Sequence, residues 1–192
     1  KEKFHDEIKK FAELTNHKSR GFRAPTFSLN NNSSWAIDVL AENGYVYDSS
    51  VVPAKTSMYG LPDAQESPYK ITSKNIEKDN SNGTLIEFPL LVTNFLGKKI
   101  PAAGGFYLRT LPTRITKNAI KNYEKQGMPA SFYIHSWELT PEYMPKLELP
   151  FKDNFATFHN IDDTYKRMNE ILEEFEFTSF ANYLSQEMNF SS

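Results

Sequence analysis

Three ionisable side chains stand where short apolar runs stop: Arg23 in GFRAPTF, Asp48 in YVYDSSVV and His135 in ASFYIHSW. An imidazole that titrates near neutrality can hand a proton to a leaving group, and a carboxylate beside it holds the ring and keeps it protonated. A guanidinium cannot serve as that acid, but it can orient a carboxylate base and keep it ionised. Each residue also has a structural counterpart. A histidine in an apolar run is often a satisfied core group, Arg23 alone fits a surface ion pair, and Asp48 before two serines fits a turn that accepts backbone N–H bonds. Together they suggest one pole of a parallel α/β sheet, where the carboxyl ends of strands collect functional groups.

The elements that must position them follow from periodicity. Phe4, Ile8, Phe11 and Leu14 recur at helical spacing, which predicts an opening helix. SRGFRAP predicts a strand ended by Pro25, and Ser33 or Ser34 is expected to cap a helix from Trp35 to about Asn43. YVYDSSVV reads as the next strand, and TLIEFPLLV and AAGGFYLRT read as strands or extended pieces. Pro112 opens a helix with Ile115, Ala119, Ile120 and Tyr123 on one face. ASFYIHSW reads as a strand placing Tyr133, His135 and Trp137 on one side. Tyr165, Met168, Ile171, Leu172 and Phe175 predict the buried stripe of a late helix. Alternation of helix and strand predicts one α/β domain over 1–192: barrel units in 1–52, an insertion with pocket strands in 53–110, and further β/α units in 111–192.

Bulk composition narrows the classes. Lys+Arg 22 against Asp+Glu 24 leaves no basic field for a phosphate backbone, which argues against a nucleic-acid partner. No stretch reaches the roughly 20 apolar residues of a membrane span. Cysteine is absent, so thiolate metal sites and disulfides are excluded and the compartment stays open. Aromatics make up 14% of the chain, enough that some, Tyr107 and Trp137 first, are candidates for stacking on sugar rings rather than filling a core. AAGGF lacks a phosphate-cradle pattern and reads as a close approach of backbone, or as a bend.

GFRAPTFSL, NGYVYDSSVVP, YGLPDA and FYIHSWEL, with AAGGFYLRTLP and the closing FTSF, resemble the polysaccharide deacetylases of the NodB homology type, in particular the subgroup associated with exopolysaccharide and exosortase loci. The resemblance runs from about Glu7 onward. It implies an incomplete distorted (β/α)7 barrel and metal-dependent hydrolysis of N-acetyl groups from a polysaccharide or oligosaccharide, with zinc the expected ion. It also implies roles. His135 would protonate the departing amine, Arg23 would orient the catalytic carboxylate, Asp48 would support His135, and the Thr26 N–H would stabilise the oxyanion. Tyr107 and Trp137 are expected to contact substrate. The T-F-D-D type strand motif of such proteins does not occur here, nor does their H-x-x-x-H, since His5, His17 and His159 lack that spacing. Metal ligands are therefore expected upstream of Lys1, the isolated chain is expected to be inactive, and its open strand edges are expected to favour self-association. Two alternatives remain, a non-catalytic glycan-binding module and a deacylase of a small non-sugar amide.

Overall fold

The computed structural model describes residues 1–145 and 147–187. They form eight α-helices: α1 Glu2–Leu14, α2 Ala36–Glu42, α3 Gly105–Thr110, α4 Thr113–Lys125, α5 Ser136–Leu139, α6 Phe151–Phe158, α7 Thr164–Leu172 and α8 Phe180–Glu187. Six short strands accompany them: β1 Gly21–Phe22, β2 Tyr47–Asp48, β3 Tyr69–Ile71, β4 Leu85–Glu87, β5 Val92–Phe95 and β6 Lys98–Pro101. The chain divides into two compact units, Lys1–Pro101 with Tyr123–Ser131, and Ala102–Asn122 with the described residues from Phe132 on. None of the described helices is long and apolar enough to cross a membrane.

In the first unit the sheet order is β1-β2-β4-β3, parallel between the first three strands and antiparallel at β3, and β5 pairs with β6 in a separate hairpin. The architecture is mixed α/β, and these strands close no barrel. Register puts Phe22 opposite Asp48, Asp48 opposite Glu87, and Glu87 opposite Tyr69. Side chains at paired positions leave a sheet on the same face, so this row carries two carboxyls between two aromatic rings. Ile37, Leu40, Ile71, Ile76 and Leu85 make the centre of the core around it, each contributing about 1.5–3 kcal/mol by leaving water.

Several expected elements take other forms. In α1, Ile8 and Ala12 are buried while Phe11 and Leu14 are exposed, because the packed stripe follows the i, i+4 row from Phe4. Helix α2 begins at Ala36 with no side-chain cap, Ser33 instead accepting the Asn30 N–H. The stretch 53–82 contributes β3 and otherwise stays irregular. In α7, Thr164 and Ile171 are buried, and Phe175 is buried just beyond it, whereas Tyr165 and Leu172 face solvent.

The largest corrections fall in the second unit. AAGGFYLRT is not extended: Gly104 adopts φ 95° and turns the chain into helix α3, whose Leu108 and Arg109 are buried. ASFYIHSW is not a strand. Only Ser131 finds a bridge, to Leu90, and from Ser136 the chain becomes α5. A strand needs a partner along its length as well as alternation, and alternation is all that sequence displays. Helices α3 and α5 both pack on α7.

Candidate functional site

Two polar clusters stand out, one in each unit. In the first, the chain leaving β2 delivers Asp48, Ser49 and Ser50, all buried. Arg23 donates from Nε to the Ser49 carbonyl at 2.8 Å and from Nη2 to Ser49 Oγ at 2.7 Å, and its guanidinium lies 5.8 Å from the centre of the Phe27 ring. Ser49 Oγ in turn donates to the Phe88 carbonyl, and Ser50 Oγ donates to Asp48 Oδ1, each at 2.7 Å. Ser50 Oγ also accepts the Ala24 N–H. The end of β1 is thus tied to the end of β2 by side chains of the latter, which explains why Arg23 sits where a strand stops.

Asp48 faces Glu87 across in-register strands, and both are wholly buried. Glu87 Oε1 accepts the Val51 N–H at 2.9 Å, while Asp48 Oδ2 and Glu87 Oε2 have no conventional donor. Two adjacent buried carboxylates cannot both remain charged, and one shared proton supplies the missing bond. Burial pushes both carboxyls up from their ordinary values. Glu87 rises furthest, because the charge of Asp48 adds to its burial, whereas bonds from Glu87, Ser50 and the Ser49 backbone, and then the field of Arg23, pull Asp48 back. A cavity of about 390 Å³ opens beside the cluster, lined by Phe4, Phe22, Pro25 and Trp35, with Asp48 and Ser50 among its polar groups.

Thr26 follows Arg23 by three residues in the turn Pro25–Phe27. Both Thr26 and Phe27 have left-handed backbone, at φ 55° and 52°. For a β-branched residue this is a strained conformation of the kind held in place by its surroundings.

The second cluster is built on His135, which precedes α5. Its backbone N–H and its ring Nδ1 both meet Glu138 Oε2, at 2.9 and 3.1 Å. Glu138 is the third residue of α5, so its side chain caps the His135 N–H at the start of that helix, while the Glu138 N–H donates to the His135 carbonyl. Glu138 Oε1 accepts from Arg109 Nη2 at 3.1 Å, and both of those side chains are almost fully enclosed, 2% and 3% exposed. Burial pulls the guanidinium's pKa down from its ordinary value and Glu138 opposes that pull. The His135 ring itself is 53% exposed, stacked on Trp137 with centroids 5.7 Å apart and set edge-on to Tyr133 at 5.4 Å. Tyr107, on α3, packs edge-on to Phe106.

The two glycines of AAGGF make this cluster sterically possible. A Cβ on Gly104 would lie 2.4 Å from the Tyr133 ring, and one on Gly105 would lie 1.7 Å from Glu138 Oε1. The close backbone approach expected from sequence is real, and what it approaches is the carboxylate behind the histidine.

Of the residues singled out from sequence, Arg23, Thr26 and Asp48 lie in the first unit and His135, Tyr107 and Trp137 in the second. The carboxylate that supports the imidazole is Glu138, whereas Asp48 is engaged with Ser50 and Glu87. Glu138, Arg109 and Glu87 escaped the sequence reading. Among the described residues no three His, Asp or Glu side chains gather to hold a metal ion.

Comparison with known proteins adds one family. The sequence profile of a family described as a domain of unknown function (DUF3473) matches residues 49–185, a span that holds every residue of the second cluster together with Ser49, Ser50 and Glu87. No curated protein and no solved structure matches the chain.

Proposed function

The chain belongs to the family described as a domain of unknown function (DUF3473), and from the carboxylate-backed imidazole inside the matched span we propose that it is part of a carbohydrate deacetylase of the NodB type. It would contribute to an incomplete distorted (β/α)7 barrel that hydrolyses N-acetyl groups of a polysaccharide or oligosaccharide. The observation that carries this reading is His135. Its ring is half open to solvent and rests on an aromatic face, with one nitrogen engaged by a buried carboxylate. Such an imidazole is equipped to give a proton to a departing amine from its other nitrogen.

Trp137 and Tyr107 supply ring surface of the kind that stacks on sugars. Arg23 and Thr26 enter the proposal through their motif. Arg23 is anchored on Ser49, and Thr26 sits in the strained turn that follows it. Among the described residues no three His, Asp or Glu side chains gather as a hydrolytic metal requires.

The test is acetate release from N-acetylated oligosaccharides by the chain joined to the motifs expected upstream of Lys1. Replacing His135 with alanine should lower turnover by about two to four orders of magnitude. Undiminished turnover would refute the assignment. Saturable oligosaccharide binding with no acetate release from the joined protein would favour the glycan-binding alternative instead.

A further inference from the structure

The geometry points to Arg109 and Glu138 as positioning residues that fix the His135 imidazole with its proton on Nδ1, leaving Nε2 as the atom that exchanges protons. This inference rests on the reading of His135 as the general acid. A carboxylate can only accept hydrogen bonds, and Glu138 Oε2 faces ring Nδ1 at 3.1 Å, so Nδ1 must be the donor. The same oxygen also takes the His135 backbone N–H, so the ring cannot swing away without breaking the start of α5.

Arg109 fixes the carboxylate from the other side. Its five N–H groups meet five acceptors: Gly105 O from Nε, Thr157 O and His159 O from Nη1, and Glu138 Oε1 and Ala156 O from Nη2. Three of those carbonyls belong to the end of α6 and the residue that follows it, where a helix leaves acceptors unpaired and where a cation is favoured. Arg109 thereby caps one helix while holding the acid that caps another. A lysine has three donors on a point charge and cannot reproduce the fork.

The arrangement suits proton donation. As the carbon–nitrogen bond of the acetamide adduct breaks, the amine nitrogen takes the proton from Nε2 of the imidazolium. The ring returns to its neutral form with Nδ1–H still bonded to Glu138. No tautomer exchange is needed between turnovers.

The tautomer is measurable without substrate, by ¹⁵N NMR of the imidazole in the 192-residue chain above the ring's titration, with His135→Ala identifying the signal among four histidines. The native ring should carry its proton on Nδ1. Glu138→Asp should keep that proton in place, because a shorter carboxylate still only accepts. Glu138→Gln keeps an oxygen that can accept both the His135 N–H and Nδ1–H and should also hold the proton, whereas Glu138→Leu, with no acceptor, should release it toward Nε2. Arg109→Lys should give a mixture of tautomers. A native ring protonated on Nε2, or a Glu138→Leu ring still held wholly on Nδ1, would overturn the inference even if Arg109→Lys fails to fold. In the joined protein, Glu138→Leu should lower kcat by on the order of 10²- to 10⁴-fold with KM little changed. Unchanged kcat alongside a displaced proton would also overturn it. Full turnover by His135→Ala would defeat the deacetylase reading itself, a result separable from any tautomer measurement.

Discussion

Glu87 and Glu138 are both shut away from water, one in each unit, and they have opposite partners. Glu87 faces another carboxyl, Asp48, and the pair shares a proton; Glu138 faces the guanidinium of Arg109 and is an ion-pair carboxylate. Burial alone therefore does not determine what a carboxyl does. The partner decides whether it becomes a neutral hydrogen-bond donor that stitches two strands or an anion that can hold an imidazole. The first use is structural, and it places the chain ends from which Arg23 and Ser50 project. The second is the kind of support on which acid catalysis depends.

The comparison can be broken most severely by removing the cation. Arg109→Met would leave Glu138 buried and uncompensated and strip the end of α6 of its cap. Urea denaturation should show a loss of about 3–5 kcal/mol, and a loss under 1 kcal/mol would mean that the ion pair is not held as described.

The carboxyl pair should respond to pH in the opposite way to an ordinary acid. Unfolded, Glu87 loses its proton near its ordinary value of 4.5, whereas the folded chain keeps it to higher pH. The folded state binds the extra proton in that window, so its stabilising contribution is complete below the ordinary value and is lost as pH climbs through the raised one. Asp48, also raised, acts in the same sense. Stability should fall by up to about 1.4 kcal/mol per pH unit for each proton involved. Glu87→Gln, whose amide can donate to Asp48 while its carbonyl accepts from Val51, should flatten that slope and exceed the native protein in stability at neutral pH. A native stability that rises from pH 5 to 8 would sink the shared-proton description.

A smaller effect sharpens the first cluster further. Thr26→Gly relieves the left-handed strain at some cost in chain entropy, for a net stabilisation of up to about 1 kcal/mol by thermal or urea unfolding. A destabilised variant would show that the turn is held by contacts of the threonine side chain rather than against its backbone preference.

What was legible in the sequence divides along similar lines. The ends of β1 and β2, with Arg23 and Asp48, follow from local punctuation: a proline after one run and two serines after the other. Pro112 likewise marks the start of α4. The spacing of His135 and Glu138 is that of a capping box, a local signal overlooked because the apolar alternation of ASFYIHSW suggested a strand. Glu87 also left a trace, as an acid inside the apolar run LIEFPLLV. Arg109 left none. Its acceptors at the end of α6 and just beyond it lie 47 to 50 residues further along the chain, and only folding brings them to it. Tertiary partners of this sort are invisible to periodicity, which reports which face of an element is apolar and not what that face will meet.

Gly105 leaves an evolutionary constraint in its wake. Because its missing methyl is the space that the Glu138 carboxylate fills, neither position can drift alone toward larger groups. An alanine at 105 becomes accessible only after the acid has first shortened or gone. Any lineage that abandons the acid-backed histidine would be expected to change residue 138 before residue 105, so the order of those two replacements would record when the chemistry was lost.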